Sequence, residues 1–212
     1  MPITVIILSV CILFSAGLTI WADAKRRRPL YRLAKPLTTV LIIAAAVSAK
    51  TPVPAAYKTL IVAGLSFSLL GDIALMFSEK WFTAGLAAFL TAHIFYILAF
   101  RPAPGHQASV AIFLPFILYG LLMFFLLAPG LGPMKLPVLA YIAVITVMAG
   151  FAAGRFVDLG GTRPLLAFAG AVLFLVSDSV LAYDRFGKRI GPAQILILGT
   201  YFPAQLLIAL SI

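Results

Sequence analysis

Long apolar stretches, broken by short polar punctuation, set the pattern of this chain. Apolar residues run for about 20 positions at a time, the length that crosses a bilayer as a helix. The pattern predicts helices at 3–22, 33–49, 56–77, 81–100, 108–128, 136–154, 164–183 and 193–212. Proline and glycine mark the breaks: "TPVP" at 51–54, "RPAPG" at 101–105, "APGLGP" at 128–133 and "DLGGTRP" at 158–164. The second helix is the weakest, because its apolar core "PLTTVLIIAAAVSA" holds only 14 residues. It reaches across if Leu33–Lys35 join it and the lysine snorkels to the interface. The expected fold is all-α: a polytopic transmembrane bundle of eight helices, one transmembrane domain over 1–212, with no loop long enough for a soluble domain.

Composition agrees. The chain is 63% hydrophobic and 10% charged, too few charges to coat a soluble domain of 212 residues. A net charge of +10 could point to nucleic acid, but six of the 16 Lys and Arg sit in "KRRRPLYRLAK" (25–35), directly after an apolar run. That is how a multi-pass protein marks its cytoplasmic side. Loops after helices 1, 3, 5 and 7 carry 11 Lys and Arg, and the others carry five. The expectation is therefore an integral protein of a bacterial inner membrane with both termini outside the cytoplasm. Cys11 is the single cysteine, so no intrachain disulfide forms. "ADA" at 22–24 mimics a signal cleavage site, but the basic cluster follows the apolar run instead of preceding it, so the first helix is expected to stay.

Two aspartates interrupt the pattern. "LLGDIALMF" (69–77) and "LVSDSVLAY" (175–183) place Asp72 and Asp178 on the third helix of each four-helix half. This outlines two candidate halves, 1–104 and 105–212, as a parallel repeat. A carboxylate inside a membrane helix costs roughly 2.5–3.5 kcal/mol, so such residues usually face a cavity or a partner. Each lies five residues before the predicted helix end, about 7 Å inside the cytoplasmic boundary. At one depth the two could share a pocket as one protonated acid and one ionised base. The alternative is that each pairs with a Lys or Arg and serves packing.

Other polar residues fall within the spans. His93 and Tyr96 lie three apart on one helix face, as ligands or as hydrogen-bonded packing residues. Tyr201 and Gln205 lie four apart on the last helix, with Pro203 between them. Tyr119 and Tyr141 read as packing residues, and Lys35 as one more cation of the basic cluster. Asp23, Glu79, Asp158 and Asp184 sit at span ends, where a solvated charge is the default. Two histidines, one of them His106 in an outer loop, cannot form a three-histidine zinc site. HExxH, GxSxG, P-loop and GxGxxG motifs are missing, so neither a metal nor a nucleotide cofactor is expected.

The stretches "LGDIALMF…WFTAGLAAFLTAHIFYILAF", "LFLVSDSVLAYDRF" and "YFPAQLLIA", with "KPLTT" at 35–39 and "YIAVITVM" at 141–148, resemble the YhhN-type lysoplasmalogenase family. The resemblance covers nearly the whole chain. It implies an eight-span membrane hydrolase that cleaves the vinyl ether of a lysoplasmalogen within the bilayer. The products would be a fatty aldehyde and glycerophosphoethanolamine or glycerophosphocholine. It places the family's two intramembrane aspartates on Asp72 and Asp178 as catalytic groups. Lys35, His93, Tyr96, Ser177, Tyr201 and Gln205 match its other polar positions, as substrate-binding residues. The headgroup phosphate would lie near Lys35, Lys80, Arg185 or Lys188, and the tail along Phe89, His93, Tyr96 and Phe100. Two other classes remain open: a proton-coupled transporter or scramblase using the aspartates as relays, and a structural membrane subunit.

Overall fold

The computed structural model describes residues 3–50, 53–77, 79–102 and 109–212. His106 lies outside the described residues. Eight helices, each long and apolar enough to cross a membrane, account for almost all of the described chain. They are α1 (Ile3–Ala24), α2 (Arg28–Ser48), α3 (Ala55–Met76), α4 (Phe82–Phe100), α5 (Val110–Leu127), α6 (Lys135–Leu159), α7 (Thr162–Phe186) and α8 (Ala193–Leu210). Short 3-10 turns at Glu79–Trp81, Ala128–Gly130 and Gly132–Met134 join some of them. The protein is an integral, multi-pass membrane protein.

Several helices turn one stripe inward. On α3 the buried residues are Tyr57, Ile61, Gly64, Leu65, Ser68, Gly71 and Asp72, most of them three or four positions apart. On α4 they are Gly85, Phe89, Ala92, His93, Tyr96, Ala99 and Phe100. The opposite faces stay apolar and exposed, as with Leu70 and Ile94, because lipid rather than water covers them. α8 is the most enclosed, packed against α7, α2, α1 and α3. α5 is peripheral, with only Gly120 and Leu127 buried. Trp21 and Trp81, both half exposed near ends on the basic side, suit the headgroup layer.

Close packing here depends on glycine. A Cβ on Gly71 would stand 2.5 Å from the Phe89 ring, so α3 meets the aromatic face of α4 only without one. The α6–α7 turn is two residues long, and Gly160 (φ +60°) and Gly161 (φ +75°) take it through the left-handed region.

Two expectations need correction. α2 starts at Arg28, five residues before the predicted Leu33, with Pro36 accommodated inside the helix. Lys35 is therefore a full two turns into α2 and does not snorkel. It is 6% exposed, because a carboxylate on α3 neutralises it in place. Equal depth of the aspartates, counted from helix ends, also fails. α3 ends four residues after Asp72, while α7 continues eight residues past Asp178, about 6 and about 12 Å.

Candidate active site

Asp72 is held by three polar side chains. Lys35 Nζ of α2 stands 3.2 Å from its Oδ1. Thr39, one turn further along α2, donates to Oδ2 at 2.7 Å, and Tyr201 of α8 donates to the same oxygen at 2.7 Å. A chain of hydrogen bonds backs these contacts. Tyr96 donates to Gln205 Oε1 (2.9 Å), and Gln205 Nε2 donates to the Tyr201 hydroxyl (3.0 Å). The two spacings noted in the sequence therefore converge: α4 supplies Tyr96, α8 supplies Gln205 and Tyr201, and the chain ends on Asp72. The pairing of Asp72 with a lysine is part of what a packing role predicts, but both residues also line a cavity.

Asp178 is differently placed. Tyr141 of α6 donates to its Oδ2. His93 Nε2 lies 3.8 Å away, beyond a hydrogen bond. The His93 ring is fully buried against Phe174 and Tyr141, with ring centroids 4.6 and 5.3 Å away. Neither of its nitrogens has a hydrogen-bond partner among the described residues. Among the described residues, no lysine or arginine pairs with Asp178. Its side chain is 14% exposed, against 1% for Asp72. The sequence context of Tyr141 implies only packing. A lone tyrosine in an apolar run gives no sign of a partner 37 residues away.

A polar cavity of about 280 Å³ joins the two. Lys35, Asp72, Ser177, Asp178 and Tyr201 line it, and Asp23, Tyr31, Asp184, Arg185, Arg189 and Gln194 form its outer part. Ser177 donates to the Ile197 carbonyl (3.2 Å), tying α7 to α8 at the wall. His93, Tyr96 and Gln205 stand behind the wall and do not reach the cavity. Of the cations expected at a headgroup, Lys35 and Arg185 line it, Lys80 and Lys188 do not, and Arg189 joins them.

A second, apolar cavity lies between α4, α5, α6 and α7, lined by Leu86, Met123, Val138, Ile142 and Ile145 among others. Leu75, Phe82, Phe89, Leu181 and Asp178 belong to both cavities. The expected tail path along Phe89, His93, Tyr96 and Phe100 is thus corrected. Only Phe89 borders open space, since the other three fill the core. Among the described residues, no three His, Cys, Asp or Glu side chains come together as a metal site would need.

The arrangement defines a class: a multi-pass membrane protein with a polar cavity, two intramembrane carboxylates at its base and an apolar cavity adjoining one of them. The chain belongs to the YhhN family, whose sequence profile matches residues 30–212. Human lysoplasmalogenase TMEM86B is 37% identical over 165 residues, 73% of this chain and 64% of the relative. Bovine lysoplasmalogenase TMEM86A is 36% identical over 159 residues, 72% of this chain and 65% of the relative. The chain therefore spans a little under two thirds of the length of these relatives. The membrane protein YhhN of Escherichia coli O157:H7 is 28% identical over 212 residues, 97% of both chains. No solved structure matches significantly.

Proposed function

We propose that the protein is an intramembrane hydrolase that cleaves the vinyl ether bond of lysoplasmalogens, as the names of its mammalian relatives suggest. One observation carries the reading: the polar and apolar cavities meet at Asp178. A lysoplasmalogen has a zwitterionic headgroup and a hydrocarbon tail, and its vinyl ether lies at their junction. With the headgroup in the polar cavity and the start of the tail in the apolar one, that bond falls beside Asp178.

The chemistry follows from the two environments. Asp178, with no cation partner, carries the proton. It delivers that proton to the vinyl carbon remote from the ether oxygen, leaving an oxocarbenium ion. Asp72, whose charge Lys35 balances, stays ionised and stabilises the cation, the division of labour that glycosidases make between two carboxylates. Water adds to the cationic carbon and returns a proton to Asp178. The hemiacetal then collapses: its hydroxyl proton passes to the ether oxygen as that C–O bond breaks, giving the fatty aldehyde and the glycerol hydroxyl. Tyr141 positions Asp178 by its hydrogen bond, and His93 closes the wall behind it.

Phe174, Tyr96 and Gln205, all fully buried, fill the space behind the cavity. That supports an enzyme over a transport route, which would need to continue past the site. The basic loops flank the mouth of the cavity, so the reading includes access from the cytoplasmic side of an inner membrane, with both termini outside. The test is product analysis. Purified protein in detergent, incubated with alkenyl-glycerophosphoethanolamine, should release fatty aldehyde, with chelators making no difference. No aldehyde from well-folded protein with any lysoplasmalogen would reject the reading.

A further inference from the structure

Four aspartates line the polar cavity, and three are engaged. Asp72 holds Lys35, Thr39 and Tyr201. Asp178 accepts from Tyr141. Asp184 accepts from the Ile190 N–H at 2.7 Å and from Arg189 at 3.2 Å. Asp23, at the end of α1, is the exception. Its half-buried carboxylate has neither an ion pair nor a side-chain hydrogen bond among the described residues. Arg26 and Arg28 share a smaller neighbouring cavity of about 140 Å³ with it, but neither pairs with it.

We propose that Asp23 is the specificity-determining residue for the headgroup, taking the primary ammonium of an ethanolamine-type lysolipid. The inference rests on the lysolipid reading of the cavity given above. A primary ammonium offers three N–H donors to a carboxylate, whereas a trimethylated one offers none. Tyr31 lines the cavity beside Asp23, with its hydroxyl accepting from Gln194 Nε2 at 2.9 Å, and its aromatic surface suits a cation. Of the three cations lining the cavity, Lys35 is spent on Asp72, and the phosphate falls to Arg189. Arg189 spends a single hydrogen bond on Asp184 and is 79% exposed, which leaves donors for an anion. Arg185 is committed to Glu79 through two hydrogen bonds (2.8 and 3.1 Å) and adds positive field beside it.

The experiment compares three alkenyl lysolipids bearing ethanolamine, choline or a bare phosphate, with wild type and Asp23→Asn. The expected result is a KM about tenfold higher for the ethanolamine substrate, the loss of one charge-assisted contact, with kcat held. The shift should be smaller for choline and absent or reversed for the bare phosphate. Asp23→Glu, which keeps the charge, should retain the ethanolamine preference. Equal shifts for all three substrates, or none, would overturn the proposal while aldehyde release by wild type left the hydrolase reading standing. A binding readout covers an inactive protein. Glycerophosphoethanolamine should raise the melting temperature of wild type more than glycerophosphate does, and Asp23→Asn should erase that difference. An unchanged difference in the variant would also overturn it.

Discussion

The two aspartates occupy matching sequence motifs yet live in opposite surroundings. Asp72 has a buried cation and two hydroxyl donors, and its side chain is 1% exposed. Asp178 has one phenol, a histidine just out of reach and an edge on both cavities. Similar stretches of sequence can therefore sit in different surroundings. The residues that make the difference, Lys35 and Tyr141, come from α2 and α6.

Replacing each carboxyl group separately has the largest expected effect. Asp178→Asn should lower kcat by 10²–10⁴-fold, the usual worth of a general acid, with little change in melting temperature. The amide still accepts from Tyr141 and strands no cation. Asp72→Asn should lose activity as severely but also destabilise the protein by about 3–5 kcal/mol, because Lys35 is left buried without its counter-charge. Equal thermal effects in the two variants would contradict the asymmetry.

Next in size is the paired replacement Lys35→Met with Asp72→Asn. Swapping a buried ion pair for neutral groups is often close to neutral in stability. The double variant should recover most of the melting temperature lost by Asp72→Asn and none of the activity. Calorimetry or a thermal-shift assay beside the aldehyde assay reads both.

Tyr141→Phe should have a smaller effect, lowering kcat about tenfold with KM unchanged, since it removes a hydrogen bond to an acid and leaves both cavities lined. An unchanged kcat would return Tyr141 to the packing role that its sequence context implies. Reporter fusions address the geometry without touching the chemistry. A C-terminal fusion should be active only with reporters that work outside the cytoplasm, and activity of a cytoplasmic reporter there would reverse the proposed direction of access.

The spans were legible because lipid imposes a length and a polarity that no packing arrangement can hide. All eight appear within a few residues of the predicted bounds, apart from the start of α2 and the far ends of α6 and α7. The aspartates were legible for the same reason, as charges inside apolar runs. Their partners were not. Lys35 looked like part of the basic cluster because only the tertiary fold brings it to Asp72, 37 residues on. Asp23 and Asp184 read as solvated charges at span ends, and only the fold brings both to one cavity. Helical spacing predicted that Tyr201 would share a face with Gln205, and His93 with Tyr96. It could not predict that Tyr96 and Gln205 would bond across helices while His93 found no hydrogen-bond partner among the described residues.

If Asp178 hands its proton to carbon at the junction of the two cavities, the solvent isotope enters the product. The mass of the aldehyde formed in deuterated water, with a control for exchange of the free aldehyde, reads this directly. One deuterium should appear on the carbon next to the carbonyl, at a rate that Asp178→Asn abolishes. Aldehyde released without that deuterium would contradict that proton transfer.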